Sequence, residues 1–110
     1  MLAGFNSFIE DEGAAAPALI FELFSEGRRN PEIRDELGEL YRGVRATVAE
    51  ALAAKEREGV VKLRASADSV ASIIFAMADG AALQILSDPA WDPADALATG
   101  LAAVRHLLGE

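Results

Sequence analysis

The sequence predicts an all-α domain of about five helices, and three observations support that prediction. Apolar residues recur at helical spacing in five successive segments. The junctions between these segments contain glycine, Asn-Pro or Asp-Pro, which commonly begin or end helices. Only residues 59–63 have the composition of a strand, and that run is short and isolated. The chain has 110 residues, so we expect a single domain over residues 1–110.

The first two helical segments precede residue 28. In the first segment, apolar side chains repeat at helical spacing, at Leu2, Phe5, Phe8 and Ile9. The second is predicted over residues 14–27, where aromatic and branched side chains form a broad apolar side. Pro17 is tolerated there because backbone donors in the first turn of a helix have no intrahelical partner.

The third segment is predicted to be a long amphipathic helix. Asn30-Pro31 opens it, since asparagine is a favoured cap and proline fits the first helical position. Gly59 is expected to end it. Its apolar residues trace one continuous face, formed by Ile33, Leu37, Leu40, Val44, Val48 and Ala51. Most of its charged residues lie away from that face, which we therefore expect to be buried.

The fourth segment, residues 69–86, is apolar on opposing sides and contains one charged residue, Asp79. Ser66 or Asp68 caps it, and Asp88-Pro89 breaks it. A helix that is apolar all round is either deeply buried or spans a membrane. This run is marginal in length for a bilayer and contains polar residues, and no Lys or Arg lies close to its ends, so no membrane contact is expected.

The fifth segment follows Asp92-Pro93, and its small residues allow close helix packing. One face of the fourth helix can serve the subunit's own core, which leaves another face for a partner. We expect a homodimer in which the last two helices of each subunit form an intersubunit four-helix bundle. The expected interface residues are Met77, Ala81, Ile85, Trp91, Leu97, Leu101, Val104 and Leu108. The alternative is a compact monomer whose first three helices cover both faces. For Trp91 alone, the alternative is that it covers the core of its own subunit.

Charge and cysteine content exclude several function classes. The chain has 18 acidic and 10 basic residues, a net charge of −8, and therefore repels nucleic-acid phosphates. It lacks cysteine, which excludes disulfides and thiol nucleophiles and fits a reducing cytoplasm. His106, the one histidine, lies on the polar side of the last helix, so neither a metal nor a cofactor is expected. No catalytic cluster or phosphate-binding glycine loop indicates an enzyme.

Four short motifs, in their order and spacing, resemble the C-terminal domain of TetR-type transcriptional regulators. They are Asn30-Pro31-Glu32-Ile33-Arg34, Glu58-Gly59-Val60, Ala78-Asp79-Gly80 and Leu86-Ser87-Asp88-Pro89. The likeness extends over residues 14–108. It implies a helical domain that dimerises through its last two helices and holds a small-molecule pocket in each subunit. Effector binding in that family changes the separation of two N-terminal helix-turn-helix domains and releases operator DNA.

The resemblance also implies what these residues lack. The N-terminal DNA-reading domain of the family, with its basic recognition helix, has no counterpart here. We therefore expect a fragment or a naturally truncated relative beginning at Met1, which reaches DNA only through the missing domain. The expected function is effector binding and dimerisation in a cytoplasmic TetR-like regulator, a repressor. The alternative is a free-standing helical interaction protein that dimerises without a small-molecule ligand.

A pocket for a small apolar effector would use inward-facing aromatic residues and a few polar anchors. The expected ligand contacts are Phe8, Phe21, Phe24, Tyr41, Arg45, Phe75 and Asp79. The alternative is that these aromatic residues simply fill the core. A carboxylate within an apolar helix is unfavourable unless it is paired or hydrated, so Asp79 is expected to accept from Arg45 or Arg105 or to face water.

Overall fold

The computed structural model describes the backbone of residues 15–110 and the side-chain burial of residues 18–110. Four helices occupy this part of the chain: α1 (Ala15–Gly27), α2 (Pro31–Arg57), α3 (Ala67–Ser87) and α4 (Ala94–Leu107). Residues 15–110 contain no strand, so the all-α prediction is confirmed over this range. The segment predicted before residue 14, which includes Phe8, lies outside the described residues.

The helix ends follow the capping residues of the sequence. Asn30 caps α2, where its Oδ1 accepts a hydrogen bond from the Glu32 N–H at 3.0 Å. After α2 the chain turns through Gly59, whose φ of +79° is a conformation that glycine adopts without strain. Ser66 caps α3 by accepting from the Ser69 N–H, which decides between the two predicted caps.

The last three helices share one small core. Leu52 of α2, Val70 and Ile74 of α3, and Val104 of α4 are almost completely buried against one another. Partly buried apolar side chains surround this cluster, at Val48, Leu63, Ala67, Met77, Leu107 and Leu108. Three residues predicted for the dimer interface, Met77, Val104 and Leu108, therefore also contact the core of their own subunit.

The buried side of α2 differs from the predicted stripe. Leu37, Ala49 and Leu52 are buried, whereas Leu40 is 48% exposed and Ala51 is also exposed. The end of α1 approaches Leu37 at Gly27, and Val70 and Ile74 of α3 pack with Leu52. The prediction that Leu40 and Ala51 lie on a buried face was wrong. The apolar face of α2 is broader than the part of it that the neighbouring helices cover.

The end of α1 lies directly against the first turns of α2. Gly27 is buried, and a Cβ atom there would lie 3.4 Å from the Arg34 Cα and 3.5 Å from the Leu37 Cδ1. These are ordinary van der Waals distances, so a methyl group would fit there and the close packing does not require glycine. α1 also packs against α3, so residues of three helices meet beside this contact.

By length and composition alone, α3 could cross a membrane, with a mean hydropathy of 1.7. Core helices of soluble proteins satisfy the same criterion, so it is weak support for a span. Val70, Ala71, Ile74 and Ala82 of this helix are buried in the subunit. Packing against α1, α2 and α4 covers only part of this helix, since 22% of its apolar window is buried in the subunit.

Candidate functional site

Three aromatic rings meet where α1 packs against α2. The ring centroids of Phe21 and Phe24 are 6.5 Å apart, and those of Phe24 and Tyr41 are 5.5 Å apart. These separations fall within the range of favourable aromatic pairs, and the ring planes are tilted by 32° and 46°. Tyr41 follows Leu37 by one helical turn, so the α1–α2 contact places it beside Phe24. With Asp79, these residues form what we call the aromatic cluster.

Asp79 extends the aromatic cluster to α3. The Tyr41 hydroxyl donates a hydrogen bond of 2.9 Å to the Asp79 Oδ2, which joins α2 to α3. Within the described residues, no Lys or Arg forms an ion pair with Asp79. Among the described residues Asp79 therefore accepts from Tyr41 rather than from Arg45 or Arg105, and its expected contact with water stays a prediction. The sequence placed Tyr41 and Asp79 in the same candidate pocket but could not show that they bond to each other.

Burial perturbs both members of this pair. It raises the pKa of Tyr41 to about 12, and the hydrogen bond to Asp79 and that group's negative charge add to the effect. Burial also raises the pKa of Asp79, while the hydrogen bond from Tyr41 acts in the opposite direction. A partly desolvated carboxylate whose bonded partner is neutral can accept a further donor or a positive charge from a ligand.

The other predicted ligand contacts lie near the cluster along the helices. Phe75 is half-buried and precedes Asp79 by one turn of α3. Arg45 is half-buried one turn after Tyr41, and it forms no side-chain hydrogen bond or ion pair with a residue in the described range. Phe8 lies outside that range. Whether these residues contact a ligand remains a prediction.

A separate apolar groove of about 530 Å³ lies between α3 and α4. Its volume falls within the range typical of small-molecule sites. Six predicted interface residues line it: Met77, Ala81, Trp91, Leu97, Leu101 and Val104. The other two, Ile85 and Leu108, are half-buried and do not line it. None of the residues of the aromatic cluster reaches it either.

Within the groove lining, Gly100 of α4 lies close to Met77 of α3. A Cβ atom at Gly100 would lie 2.7 Å from the Met77 Cε, so a larger residue would displace the methionine side chain. Gln84 also lines the groove, although sequence reasoning did not select it. Its spacing from Met77 and Ala81 could have indicated it, since residues three and four apart share a helical face.

Neither site is built to hold a metal ion. Among the residues that the structure describes, no three acidic or histidine side chains converge on one point. The chemistry of the two sites is instead apolar contact, one carboxylate, one phenol and, in the groove, the Gln84 amide and the Trp91 indole.

Comparison with known protein families identifies a match over nearly the whole chain. The profile of the C-terminal domain of BetI-type transcriptional repressors matches residues 7–109, nearly the whole chain. No individual curated protein and no solved structure shows a significant match.

Proposed function

Because this chain belongs to the family of BetI-type transcriptional repressor C-terminal domains, we propose that it is the effector-binding and dimerisation domain of a TetR-like repressor. The groove between α3 and α4 is the observation that supports the dimerisation part. Its lining is mostly apolar, and it includes most of the residues that the sequence selected for an interface.

A second copy of the chain is the occupant that best fits this groove. Ile73 on α3 is 47% exposed, and Leu97 on α4, which lines the groove, is 38% exposed. A two-fold axis would bring the same apolar surface of both copies together. Burial of apolar area contributes about 25 cal/mol per Å², so covering this surface favours association.

Two leucine variants test the proposed interface with a matched control. Leu97→Glu places a charge in the groove, whereas Leu40→Glu places one on α2, outside the groove, where Leu40 is 48% exposed. Both sites are exposed in the subunit, so both variants should fold. Light scattering after size exclusion should show Leu97→Glu as a monomer and Leu40→Glu as a dimer. Equal masses for the two variants would contradict the proposed interface.

We propose the aromatic cluster as the effector site. The ring surfaces of Phe24 and Tyr41 would contact the apolar part of a ligand, and Asp79 would accept a hydrogen bond from its polar part. Thermal denaturation with a panel of compounds that carry an apolar part and a hydrogen-bond donor tests this, because a ligand that binds the native state raises the Tm.

A pair of alanine variants on α1 controls that experiment. Phe24→Ala should abolish the ligand-induced rise in Tm, whereas Leu19→Ala, at a residue 56% exposed, should retain it. A compound that stabilises the Phe24→Ala variant as much as the unmodified chain would refute the proposed site.

A free-standing dimerisation protein is the second candidate function. Two observations favour it: Tyr41 and Asp79 already bond to each other, and the groove lies outside the aromatic cluster. In that case the chain would dimerise, and no compound of the panel would change its Tm.

The remaining proposals concern DNA binding and localisation of the regulator to which this domain would belong. The net charge of −8 opposes contact with DNA phosphates, so we propose that a separate helix-turn-helix domain reads the operator. The regulator would act in the cytoplasm, where its operator lies.

A further inference from the structure

The segment that follows α2 holds the C-terminal end of α4. The Lys62 N–H donates to the Leu108 carbonyl at 3.0 Å, and the Arg64 N–H donates to the Leu107 carbonyl at 2.9 Å. The Arg64 Nε–H donates to the His106 carbonyl at 2.7 Å. We call residues 61–64 the clasp, since they join two elements more than forty residues apart.

The clasp satisfies groups that a helix end leaves unpaired. The last four carbonyls of an α-helix have no partner within the helix. In α4, Leu108 N–H lies within bonding distance of the Val104 and Arg105 carbonyls, but the Leu107 carbonyl is bonded by Arg64. The Arg64 guanidinium also places positive charge at the negative end of the helix dipole, which is a favourable position.

The clasp is fixed to α2 at its other end. The Leu63 N–H donates to the Glu56 Oε2 at 2.8 Å, and the Leu63 side chain packs against the core that α2, α3 and α4 share. The clasp therefore links the C-terminal end of α2 to that of α4, and the position of α4 depends on both.

The groove depends on where α4 lies, because Leu97, Gly100 and Leu101 form one of its walls. We infer that Arg64 is a positioning residue for the dimer interface: it fixes the C-terminal end of α4 and thereby the spacing of the two groove walls. This inference rests on the proposed function, in which the groove receives a second copy of the chain.

Gly109 allows the clasp to lie against the end of α4. Its φ is +99°, and a Cβ atom there would lie 2.5 Å from the Lys62 carbonyl oxygen. Gly59 provides a matched comparison, since its φ is +79° but a Cβ atom would meet nothing within 4 Å. Alanine should strain the backbone at both glycines, and only at Gly109 would it also push the clasp away.

Two pairs of variants test the inference in the full chain. Arg64→Ala is compared with Arg57→Ala, which removes an exposed cation at the end of α2, and Gly109→Ala is compared with Gly59→Ala. Sedimentation equilibrium measures the dimer Kd, and circular dichroism measures helix content. Arg64→Ala and Gly109→Ala should raise the Kd about tenfold at unchanged helix content, and each control should change it about twofold or less.

The outcomes separate this inference from the proposed function. A dimer Kd that is unchanged by Arg64→Ala and Gly109→Ala would overturn the inference alone. The same holds if each variant and its control weaken the dimer equally. A monomeric unmodified chain would contradict the proposed dimerisation. Hydrogen exchange in that monomer would then test the clasp: Arg64→Ala should accelerate exchange at the end of α4, and Arg57→Ala should not. Equal exchange would overturn the inference.

Discussion

Removing the Tyr41 hydroxyl should destabilise the domain in a way that depends on pH. Tyr41→Phe keeps the ring against Phe24 and deletes only the 2.9 Å hydrogen bond to Asp79. A hydrogen bond to a charged group contributes about 1.5–3 kcal/mol, and solvent reduces that value when both partners are only half-buried. We therefore expect a loss of about 1–2 kcal/mol near neutral pH.

The pH dependence follows from the carboxyl group. Burial raises the folded-state pKa of Asp79 above its usual 3.8, and the bond from Tyr41 partly counteracts that rise. Because the folded state retains the proton longer, stability decreases as pH rises from 3.8 through the folded pKa. Without the Tyr41 hydroxyl, the pKa of Asp79 in the folded state rises further. The full loss in the free energy of unfolding caused by Tyr41→Phe should therefore be observed above that pKa. The loss should become smaller as Asp79 is protonated at lower pH.

Urea unfolding followed by circular dichroism measures this loss at neutral pH and at pH 3.8, at one chain concentration. In an Asp79→Asn background, the effect of Tyr41→Phe should no longer vary with pH over that range. A loss of equal size at both pH values in the native background, or no loss at all, would refute the reasoning.

Three further predictions concern the same helices. Tyr41 is the chain's only tyrosine, so phenolate absorbance should titrate near 12 in the folded protein and near 10 in urea, with stability falling between these values. Leu52→Ala, in the core, should lower the free energy of unfolding by about 2–5 kcal/mol, whereas Leu40→Ala should change it by under about 1 kcal/mol in urea unfolding. Gly100→Ala should displace Met77 into the groove and raise the dimer Kd, measured by sedimentation, with helix content unchanged.

The local features of the helices were predictable from the sequence. Asn30, Gly59 and Ser66 lie at helix ends because their side chains or backbone conformations suit those positions. Capping depends on residues within one turn, which a single sequence displays directly. The composition of the groove was also foreseeable, since the small and apolar residues of α3 and α4 recur at helical spacing.

Long-range contacts were less predictable. The pattern on α2 indicated an apolar side. Which part of that side is buried depends on where α1 and α3 pack, and they leave Leu40 exposed. The bond between Tyr41 and Asp79 joins residues 38 positions apart, and no periodicity encodes such a pair. The run at residues 59–63 resembled a strand because its residues favour extended backbone, yet it includes part of the clasp that bonds to a helix end.

The central claim is that the groove between α3 and α4 is covered by a second copy of the chain. Sedimentation equilibrium of the unmodified protein at micromolar concentration tests it most directly. The proposed function predicts a particle of twice the 11.6 kDa chain mass. A single species of 11.6 kDa across that concentration range would contradict it.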